Sequence, residues 1–295
     1  MNVRERFRAP KNVKLRDEDA GLTPLREKNG DKNGGDNGDK NGDKNGEKNG
    51  KNGAKQRERA LTSELIGKVA HFQEMLYAGH KQKLLLILQG MDTAGKDGTT
   101  RALFSQSQIS PMGLRATGFS APTERERAHD YLWRVHAHVP GAGMIAVFNR
   151  SHYEEVLVPR VLGDIDGKET KRRYAQIRDF ERMLSETGTT IMKVFLHISK
   201  DEQKERLQER LDDPEKHWKF DPVDLEVRKQ WDAYQRANED AIAATNADHA
   251  PWYIVPADSK THRNLIVAHL LLETMQGMNL SWPAPKADLD KVKVE

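Results

Sequence analysis

The sequence predicts an α/β fold with three layers, in which helices cover both faces of a doubly wound parallel sheet. Four short apolar runs predict strands, at residues 84–88, 144–148, 191–198 and 252–255. Unbroken apolar runs are typical of parallel strands, which are buried on both faces. Helical patterns separate the runs, for example the apolar positions Tyr174, Ile177, Phe180 and Leu184. Strands that alternate with helices place ligand sites at the carboxyl ends of the strands.

The composition excludes several classes of protein. The 295 residues, 36% of them hydrophobic, can form one large domain or two small ones. No stretch reaches the roughly 20 apolar residues that cross a bilayer, so we expect no membrane partner. The N-terminus lacks the apolar segment of a signal peptide. The absence of cysteine excludes disulfides and favours a cytoplasmic location. A formal net charge of +3 is too small to indicate nucleic-acid binding, which we do not expect.

A low-complexity segment built on Asp/Glu-Lys-Asn-Gly repeats occupies residues 27–53. It has no apolar side chain, so nothing compensates the entropy lost by ordering it. Beyond it, an amphipathic helix is predicted from about Gln56 to Gly79. We therefore predict a disordered N-terminal segment, a folded domain and a flexible C-terminal tail, with boundaries at 1–55, 56–280 and 281–295.

A Gly-x4-Gly-Lys motif follows the first predicted strand, over residues 90–96. This spacing, between a strand and a helix, is that of a P-loop. Its glycines let backbone N–H groups surround phosphate oxygens, the helix N-terminus adds positive charge, and Lys96 neutralises the transferred group. We call residues 90–96 the phosphate loop. The residues predicted to bind phosphate here are Gly90, Met91, Asp92, Thr93, Ala94, Gly95, Lys96, Asp97, Gly98 and Thr99.

Two acidic side chains at the phosphate loop indicate a bound cation. Asp97 occupies the position where Ser or Thr normally binds Mg²⁺, and Asp92 lies within the loop. A carboxylate beside phosphate groups is unfavourable unless a cation lies between them. We therefore predict Mg²⁺ as a cofactor, with Asp92 as one of its ligands.

A second polar segment, residues 149–155, follows the run at 144–148. Asn149 takes the position of the acid that usually ends this strand in P-loop enzymes. Arg150 can make a forked contact with phosphate. Glu154 or Glu155 can supply the missing metal ligand, or both can simply cap the next helix, over 156–161. We call residues 149–153 the second loop.

Two further arginines are candidates for contacts with phosphate. Arg134 lies on a predicted helix that includes residues 129–134, whose Leu132 and Trp133 face the core. Arg210 precedes a stretch rich in Pro, Trp and Lys, residues 211–220, which we call the lid because its composition suits a segment that closes over phosphates. Cationic groups beyond the phosphate loop suit a polyanion longer than the phosphates of one nucleotide.

Seven motifs in one order resemble the polyphosphate kinase 2 family. They lie within residues 57–275, at 90–98, 122–124, 129–134, 148–154, 179–182, 216–220 and 250–253. The resemblance implies a thymidylate-kinase-like fold with a helical lid, polyphosphate-dependent phosphorylation of nucleotides with Mg²⁺, and dimers or tetramers. By motif, Asp92, Lys96 and Arg150 carry over as catalytic residues, and Arg210 as a basic residue of the lid region.

The second loop also resembles one subgroup of that family. Many members read Asp-Arg-Ser-Trp-Tyr-Asn here and resemble enzymes that phosphorylate nucleoside diphosphates. This chain reads Asn-Arg-Ser-His-Tyr-Glu over 149–154, which is similar to the subgroup that accepts both AMP and ADP. The resemblance implies that Glu154 contributes to the choice of acceptor.

The resulting hypothesis is direct in-line transfer from polyphosphate to AMP or ADP. An acceptor phosphate is already ionised near neutral pH, so no general base is required. The alternatives are a kinase restricted to nucleoside diphosphates, an ATP-dependent nucleotide kinase and a non-enzymatic polyanion binder. The acids at the phosphate loop argue against the last alternative, because a polyanion binder gains nothing from Asp92 and Asp97.

Overall fold

The chain forms five strands and twelve α-helices in the residues that its computed structural model describes, which are 2–26, 44–105, 108–286 and 294, with backbone alone for 44–51. The strands are β1 (Lys83–Gln89), β2 (Leu114–Gly118), β3 (Ile145–Asn149), β4 (Thr189–His197) and β5 (Trp252–Pro256). The helices are α1 (Val3–Phe7), α2 (Asp17–Ala20), α3 (Lys44–Gly79), α4 (Lys96–Phe104), α5 (Glu124–Arg127), α6 (Trp133–His136), α7 (Glu154–Leu162), α8 (Gly167–Glu186), α9 (Lys200–Asp212), α10 (Val223–Lys229), α11 (Trp231–Thr245) and α12 (Lys260–Gly277).

The strands form one parallel sheet in the order β2-β3-β1-β4-β5. This confirms the predicted fold class and its four strands. The fifth strand, β2, was missed because it lies at the sheet edge and its five residues include exposed Arg115 and Gly118 instead of an apolar run. Leu88 of β1 lies opposite Asn149 of β3, so the phosphate loop and the second loop leave the sheet side by side.

Alternate residues of β1 supply the two faces of the core. Leu84, Leu86 and Leu88 pack in a cluster with apolar residues of α3, α4 and α12. Leu85 and Ile87 pack on the other face with side chains of α6 and α8, among them Phe180. Because successive side chains of a strand point to opposite faces, the unbroken apolar run is explained by this burial on both sides.

Residues 2–26 pack against the domain, and we call them the N-terminal strap. Val3 and Phe7 are buried in the main core cluster. The backbone N–H groups of Val3 and Arg4 donate to the Glu273 carboxylate at 2.9 and 2.8 Å. The expected disorder of residues 1–55 is therefore wrong for the strap. The prediction treated the strap like the low-complexity segment 27–53, although the strap contains apolar residues that can anchor it.

The helix predicted from about Gln56 begins earlier, at Lys44. From Ala54 onward the helix has side chains buried against the domain. Adding residues to an existing helix is far easier than nucleating one, which accounts for an extension through a sequence of low propensity. Residues 27–43 of the predicted linker lie outside the described residues.

The C-terminal segment was predicted to be a flexible tail from residue 281. Residues 281–286 have no regular secondary structure, and the ring of Trp282 lies 6.1 Å from that of His71. Residues 287–293 and 295 lie outside the described residues. In the described part of the chain, no helix is both long and apolar enough to cross a membrane.

The helix predicted around residues 129–134 is interrupted. A capping box at Thr123 starts α5, which ends at Arg127. The Asp130 carboxylate then accepts a hydrogen bond from the backbone N–H of Leu132 at 3.0 Å. Short polar side chains compete with the helix for backbone partners in this way, so α6 begins only at Trp133.

Replacing Phe7 of the strap by alanine tests whether the strap stabilises the domain. Phe7 is buried, so Phe7→Ala should lower the free energy of unfolding by about 3 kcal/mol through lost burial and a cavity. The control is Leu22→Ala in the same strap, where an exposed side chain should change stability by less than about 0.5 kcal/mol. Urea denaturation of both variants measures the difference, and equal stabilities would show that the strap is not anchored.

Candidate active site

A cavity of about 600 Å³ opens at the carboxyl ends of β1, β2 and β3. It combines the phosphate loop, the second loop, the lid and the segments around them. Its lining residues are Asp92, Thr93, Gly95, Lys96, Asp97, Gly98, Gly118, Phe119, Ser120, Asn149, Arg150, Arg206, Glu209, Arg210, Lys216, Trp218, Lys219, Asp221, Asp224 and Lys260. Nine of the residues predicted from sequence are among them: Asp92, Thr93, Gly95, Lys96, Asp97, Gly98, Asn149, Arg150 and Arg210.

The phosphate loop has the backbone that its glycines were predicted to allow. Gly90 and Gly95 have positive φ angles of 150° and 101°. A Cβ atom on Gly90 would lie 2.6 Å from the backbone oxygen of Leu196, and one on Gly95 would lie 1.9 Å from Nη1 of Arg263. These contacts leave no room for a larger residue. Glycine is therefore required at both positions by backbone conformation and by space.

Lys96 is the first residue of α4 and is buried at the floor of the cavity. Its Nζ donates to the backbone oxygens of Gly90 at 2.6 Å and Met91 at 3.2 Å. Burial, followed by the nearby Arg150 cation, lowers the pKa of Lys96 against the opposing effect of the Asp92 carboxylate. The ammonium group is thus held by neutral carbonyls, which a phosphate can replace as a stronger acceptor.

Two side-chain pairs join the phosphate loop to the second loop. Arg150 Nη2 donates to Asp92 Oδ1 at 2.5 Å, and Asn149 Nδ2 donates to Asp97 Oδ1. Burial opposes the charge of Arg150, but the carboxylates of Asp92, Glu154 and Asp224 together outweigh it and raise the pKa of the guanidinium. An acid at position 149 would face the Asp97 carboxylate directly and be repelled. An amide at position 149, which can donate a hydrogen bond, is therefore compatible with an acid at position 97.

Glu154 and Arg134 do not line the cavity. Glu154 begins α7, and its Oε1 accepts a hydrogen bond from Gln89 Nε2 at 3.1 Å. Arg134 is buried and donates to the backbone oxygen of Ser120 at 2.8 Å and to Glu155 Oε1 at 2.9 Å. The structure thus corrects the assignment of Arg134 to phosphate. Its guanidinium supports the wall that follows β2, a contact that helical spacing could not reveal.

Gly90, Met91, Ala94 and Thr99 belong to the phosphate loop region but have other roles in the structure. The backbone oxygens of Gly90 and Met91 hold Lys96, and that of Ala94 accepts from two arginines. Thr99 Oγ1 donates to Asn264 Oδ1 at 3.2 Å, which ties α4 to α12. These residues therefore shape the loop from behind its cavity face.

The lid brings basic and aromatic side chains to the mouth of the cavity. Arg210 Nη1 donates to the Lys219 backbone oxygen at 2.9 Å and to Asp224 Oδ2 at 3.0 Å. Trp218 is 77% exposed, and Lys219 Nζ lies 4.9 Å from the centre of its ring. Lys216 also lines the cavity. The lid therefore presents cations to the phosphate loop across the cavity.

Sequence reasoning missed several lining residues, because each comes from an element without a recognisable motif. Gly118, Phe119 and Ser120 follow the unpredicted strand β2. Arg206 is buried, but it belongs to a helix with many charged residues, and the sequence does not show which of them are buried. Asp224 lies beyond the lid, in α10. Burial, followed by the Asp92 carboxylate, raises the pKa of Asp224 to about 6.

A parallel sheet with a P-loop, a second basic loop and a lid over one polar cavity defines a phosphoryl-transfer protein of the P-loop class. The sequence model described as "Polyphosphate kinase 2 (PPK2)" matches residues 51–283, and the chain belongs to this family.

Related proteins agree with this assignment. The chain is 49% identical over 243 residues to the AMP/ADP-polyphosphate phosphotransferase of Meiothermus ruber, covering 82% of this chain and 90% of that protein. It is 42% identical over 242 residues to the ADP-polyphosphate phosphotransferase of Rhodopseudomonas palustris, covering 78% and 83%. The crystal structure of polyphosphate kinase 2 from Arthrobacter aurescens TC1 superposes with a TM-score of 0.84 at 41% identity, covering 98% of this chain and 94% of the other.

Replacing Gly95 by alanine tests the packing of the phosphate loop. The positive φ alone should cost about 1–3 kcal/mol, and the close approach of Arg263 forces a further shift of the loop. Gly95→Ala should therefore lower both the melting temperature and the turnover. The control is Gly167→Ala, because a Cβ atom there meets nothing within 4 Å. Equal melting temperatures of the two variants would contradict the steric argument.

The raised pKa of Asp224 predicts a pH-dependent stability. The folded state binds the proton of the Asp224 carboxyl more tightly than the unfolded state does. The free energy of unfolding therefore falls as the pH rises from 3.8, the ordinary pKa of this carboxyl, through about 6, its pKa in the folded state. Asp224→Asn removes this loss. Its stability relative to wild type should increase by about 1–3 kcal/mol between pH 4 and pH 7, as measured by urea denaturation.

The control for Asp224→Asn is the exposed Asp179, which pairs with Arg182 on the surface of α8. Asp179→Asn should change stability by only a small amount, because an exposed ion pair contributes little. A difference between Asp224→Asn and wild type that stays constant from pH 4 to pH 7 would refute the assigned pKa.

Proposed function

We propose that this chain transfers the terminal phosphoryl group of inorganic polyphosphate to AMP and to ADP, forming ADP and ATP. The observation that carries the proposal is one cavity that combines a P-loop with Arg150 and with the basic lid region around Arg210. The named relative in Meiothermus ruber, an AMP/ADP-polyphosphate phosphotransferase, supports both acceptors. The relative in Rhodopseudomonas palustris is an ADP-polyphosphate phosphotransferase, so the main alternative is a reaction in which ADP is accepted and AMP is not.

The proposed reaction needs positioning and charge more than proton transfer. A phosphate oxygen of the acceptor is the nucleophile and is ionised near neutral pH, so it needs no base. The acceptor phosphate lies at the phosphate loop, where Lys96 leaves its carbonyl partners to bind it. Arg150 and Arg210 hold the polyphosphate chain so that donor and acceptor phosphates meet in line. The bond from the terminal phosphorus to its bridging oxygen breaks as the new bond forms, and the shortened polyphosphate leaves as the anion.

We propose Mg²⁺ as the cofactor, with Asp92 and Asp97 as its protein ligands. Both carboxylates line the cavity at the phosphate loop. No cluster of three or more His, Asp or Glu side chains suited to a metal exists among the described residues. Mg²⁺ usually binds through one or two carboxylates together with substrate phosphates and water, which fits this pair of acids. The cation would neutralise charge on the transferred group.

We propose that Glu154, which directly follows the second loop, influences the choice of acceptor. The Glu154 carboxylate lies behind Lys96 and Arg150 and contributes to the pKa values of both cations. This charge offers a route by which a residue outside the cavity affects how the phosphates of AMP and ADP bind. Glu154 accepts a hydrogen bond from Gln89 and does not line the cavity. We therefore do not propose it as a metal ligand.

We further propose that the enzyme works as a homo-oligomer, a dimer or a tetramer, in the cytoplasm. Family membership supports the oligomer, and the lack of cysteine supports the location. Light scattering of the purified chain gives the mass of the assembly directly.

The central test is an assay with purified protein, Mg²⁺ and polyphosphate as sole phosphate donor, with AMP and ADP offered separately. Chromatography should show ATP from both acceptors, with ADP appearing first from AMP. ATP from ADP alone would restrict the activity to diphosphates. No product from polyphosphate, but product when ATP is the donor, would identify an ATP-dependent kinase.

Lys96→Met should lower the turnover in the same assay by about 10³-fold or more, because the positive charge beside the reacting acceptor phosphate is lost. Lys68→Met is the control, since Lys68 is exposed on α3 and forms a surface ion pair with Glu64. The control should keep wild-type turnover. Near-normal turnover of Lys96→Met would show that the phosphate loop is not the site of transfer.

A further inference from the structure

Two buried arginines hold the phosphate loop by its backbone carbonyls. Arg206 also lines the cavity, whereas Arg263 lies outside the cavity lining. Arg263 of α12 donates from Nη1 to the backbone oxygen of Ala94 at 2.9 Å. Arg206 of α9 donates from its Nη1 to the backbone oxygens of Thr93 at 2.8 Å and Ala94 at 3.3 Å. The Ala94 carbonyl is thus held by two guanidinium groups that come from different helices.

These contacts fix the direction of the following N–H group. A trans peptide is planar, and its C=O and N–H point in opposite directions. Since the Ala94 carbonyl points back to the arginines, the N–H of Gly95 points toward the cavity, which Gly95 lines. A peptide flip would remove both arginine contacts and turn a carbonyl oxygen toward the bound phosphate. The arginines therefore select the orientation of this peptide that binds an anion.

The charge of Arg263 has no acidic partner among the described residues. Only 2% of the residue is exposed, and its other hydrogen bonds go to Asn264 Oδ1 at 3.1 and 3.0 Å. Arg206, in contrast, pairs with Glu202 at 2.7 Å. Burial and then the nearby Arg206 lower the pKa of Arg263 to about 9, so it is a cation at neutral pH. A buried charge without a counterion is unfavourable in the free protein.

The guanidinium lies directly against the glycines of the loop. A Cβ atom on Gly98 would be 3.4 Å from Nη2 of Arg263, and one on Gly95 would overlap Nη1. Both glycines also line the cavity. The positive charge is therefore separated from the cavity by a single layer of backbone.

We propose that Arg263, assisted by Arg206, is a positioning residue for phosphate. Arg263 orients the Ala94–Gly95 peptide and supplies a positive charge whose counterion is the bound phosphate group. It does not touch the substrate. This inference rests on the proposed function, because it assumes that the cavity binds the phosphates of the donor or the acceptor.

The proposal predicts opposite effects of Arg263→Met on stability and on phosphate binding. Methionine fills part of the space and removes the unpaired charge, so the melting temperature without ligand should stay unchanged or rise. The rise in melting temperature that tripolyphosphate causes should shrink, since less binding energy is coupled to the folded state. The kcat/KM for polyphosphate should fall about tenfold to a hundredfold, as for other residues that orient a site from behind.

Two further variants separate the parts of the proposal. Arg263→Lys keeps the charge but loses the forked geometry, so its tripolyphosphate response should lie between those of wild type and Arg263→Met. Arg8→Met is the matched control, because Arg8 also donates to a backbone oxygen, that of Ala247 at 3.1 Å, but belongs to the N-terminal strap. The control should keep the wild-type response to tripolyphosphate.

The outcomes distinguish this inference from the proposed function. An unfolded Arg263→Met, or one with a lower melting temperature and a normal tripolyphosphate response, would show a purely structural arginine and overturn the inference alone. A normal response of Arg263→Lys would overturn the role of the forked contact. Wild-type protein that neither responds to tripolyphosphate nor uses polyphosphate would overturn the proposed function, and the inference with it.

Discussion

The site depends on the pairing of the phosphate loop with the second loop. Parallel strands β1 and β3 end in register, with Leu88 opposite Asn149, so the two loops must meet. The charges at that meeting point are complementary, since Arg150 binds Asp92 and Asn149 binds Asp97. The lid, the metal ligands proposed above and the cationic path for a polyanion are all arranged around these contacts.

A buried polar network holds the second loop from beneath. Lys193 of β4, fully buried, donates to Glu181 Oε2 at 2.6 Å and to the hydroxyl of Tyr153 at 2.8 Å. His152 Nε2 lies 3.2 Å from Glu181 Oε1. Burial opposes the charge of Glu181, but Lys193 and His152 together outweigh it and lower the pKa of the carboxyl.

Such buried pairs contribute little net stability, yet this one has a clear geometric consequence. His152 and Tyr153, two and three residues after Arg150, are fixed in the core. Arg150 itself has a positive φ angle of 62°, which a residue with a side chain adopts only where its surroundings hold it there. The network therefore supports the conformation from which Arg150 reaches Asp92.

The sequence was sufficient to predict those features that depend on neighbouring residues in the chain. Apolar runs identified β1, β3, β4 and β5, and motif spacing identified the phosphate loop and Arg150. It failed where the cause is tertiary. β2 is an edge strand without an apolar run, and the partners of Arg134 and Arg263 come from distant segments. A buried arginine on a helix looks the same in the sequence as an exposed one, because its charge gives no sign of the backbone acceptors around it.

The N-terminal strap has a consequence for biosynthesis. Val3 binds Glu273 across 270 positions of sequence, and the backbone N–H of Ala9 donates to Trp252 of β5 at 2.9 Å. The strap is synthesised before β5 and α12, so its docking surface is complete only when α12 has emerged from the ribosome. Chaperones can therefore meet its apolar anchors Val3 and Phe7 until α12 has been made and the strap can dock on it.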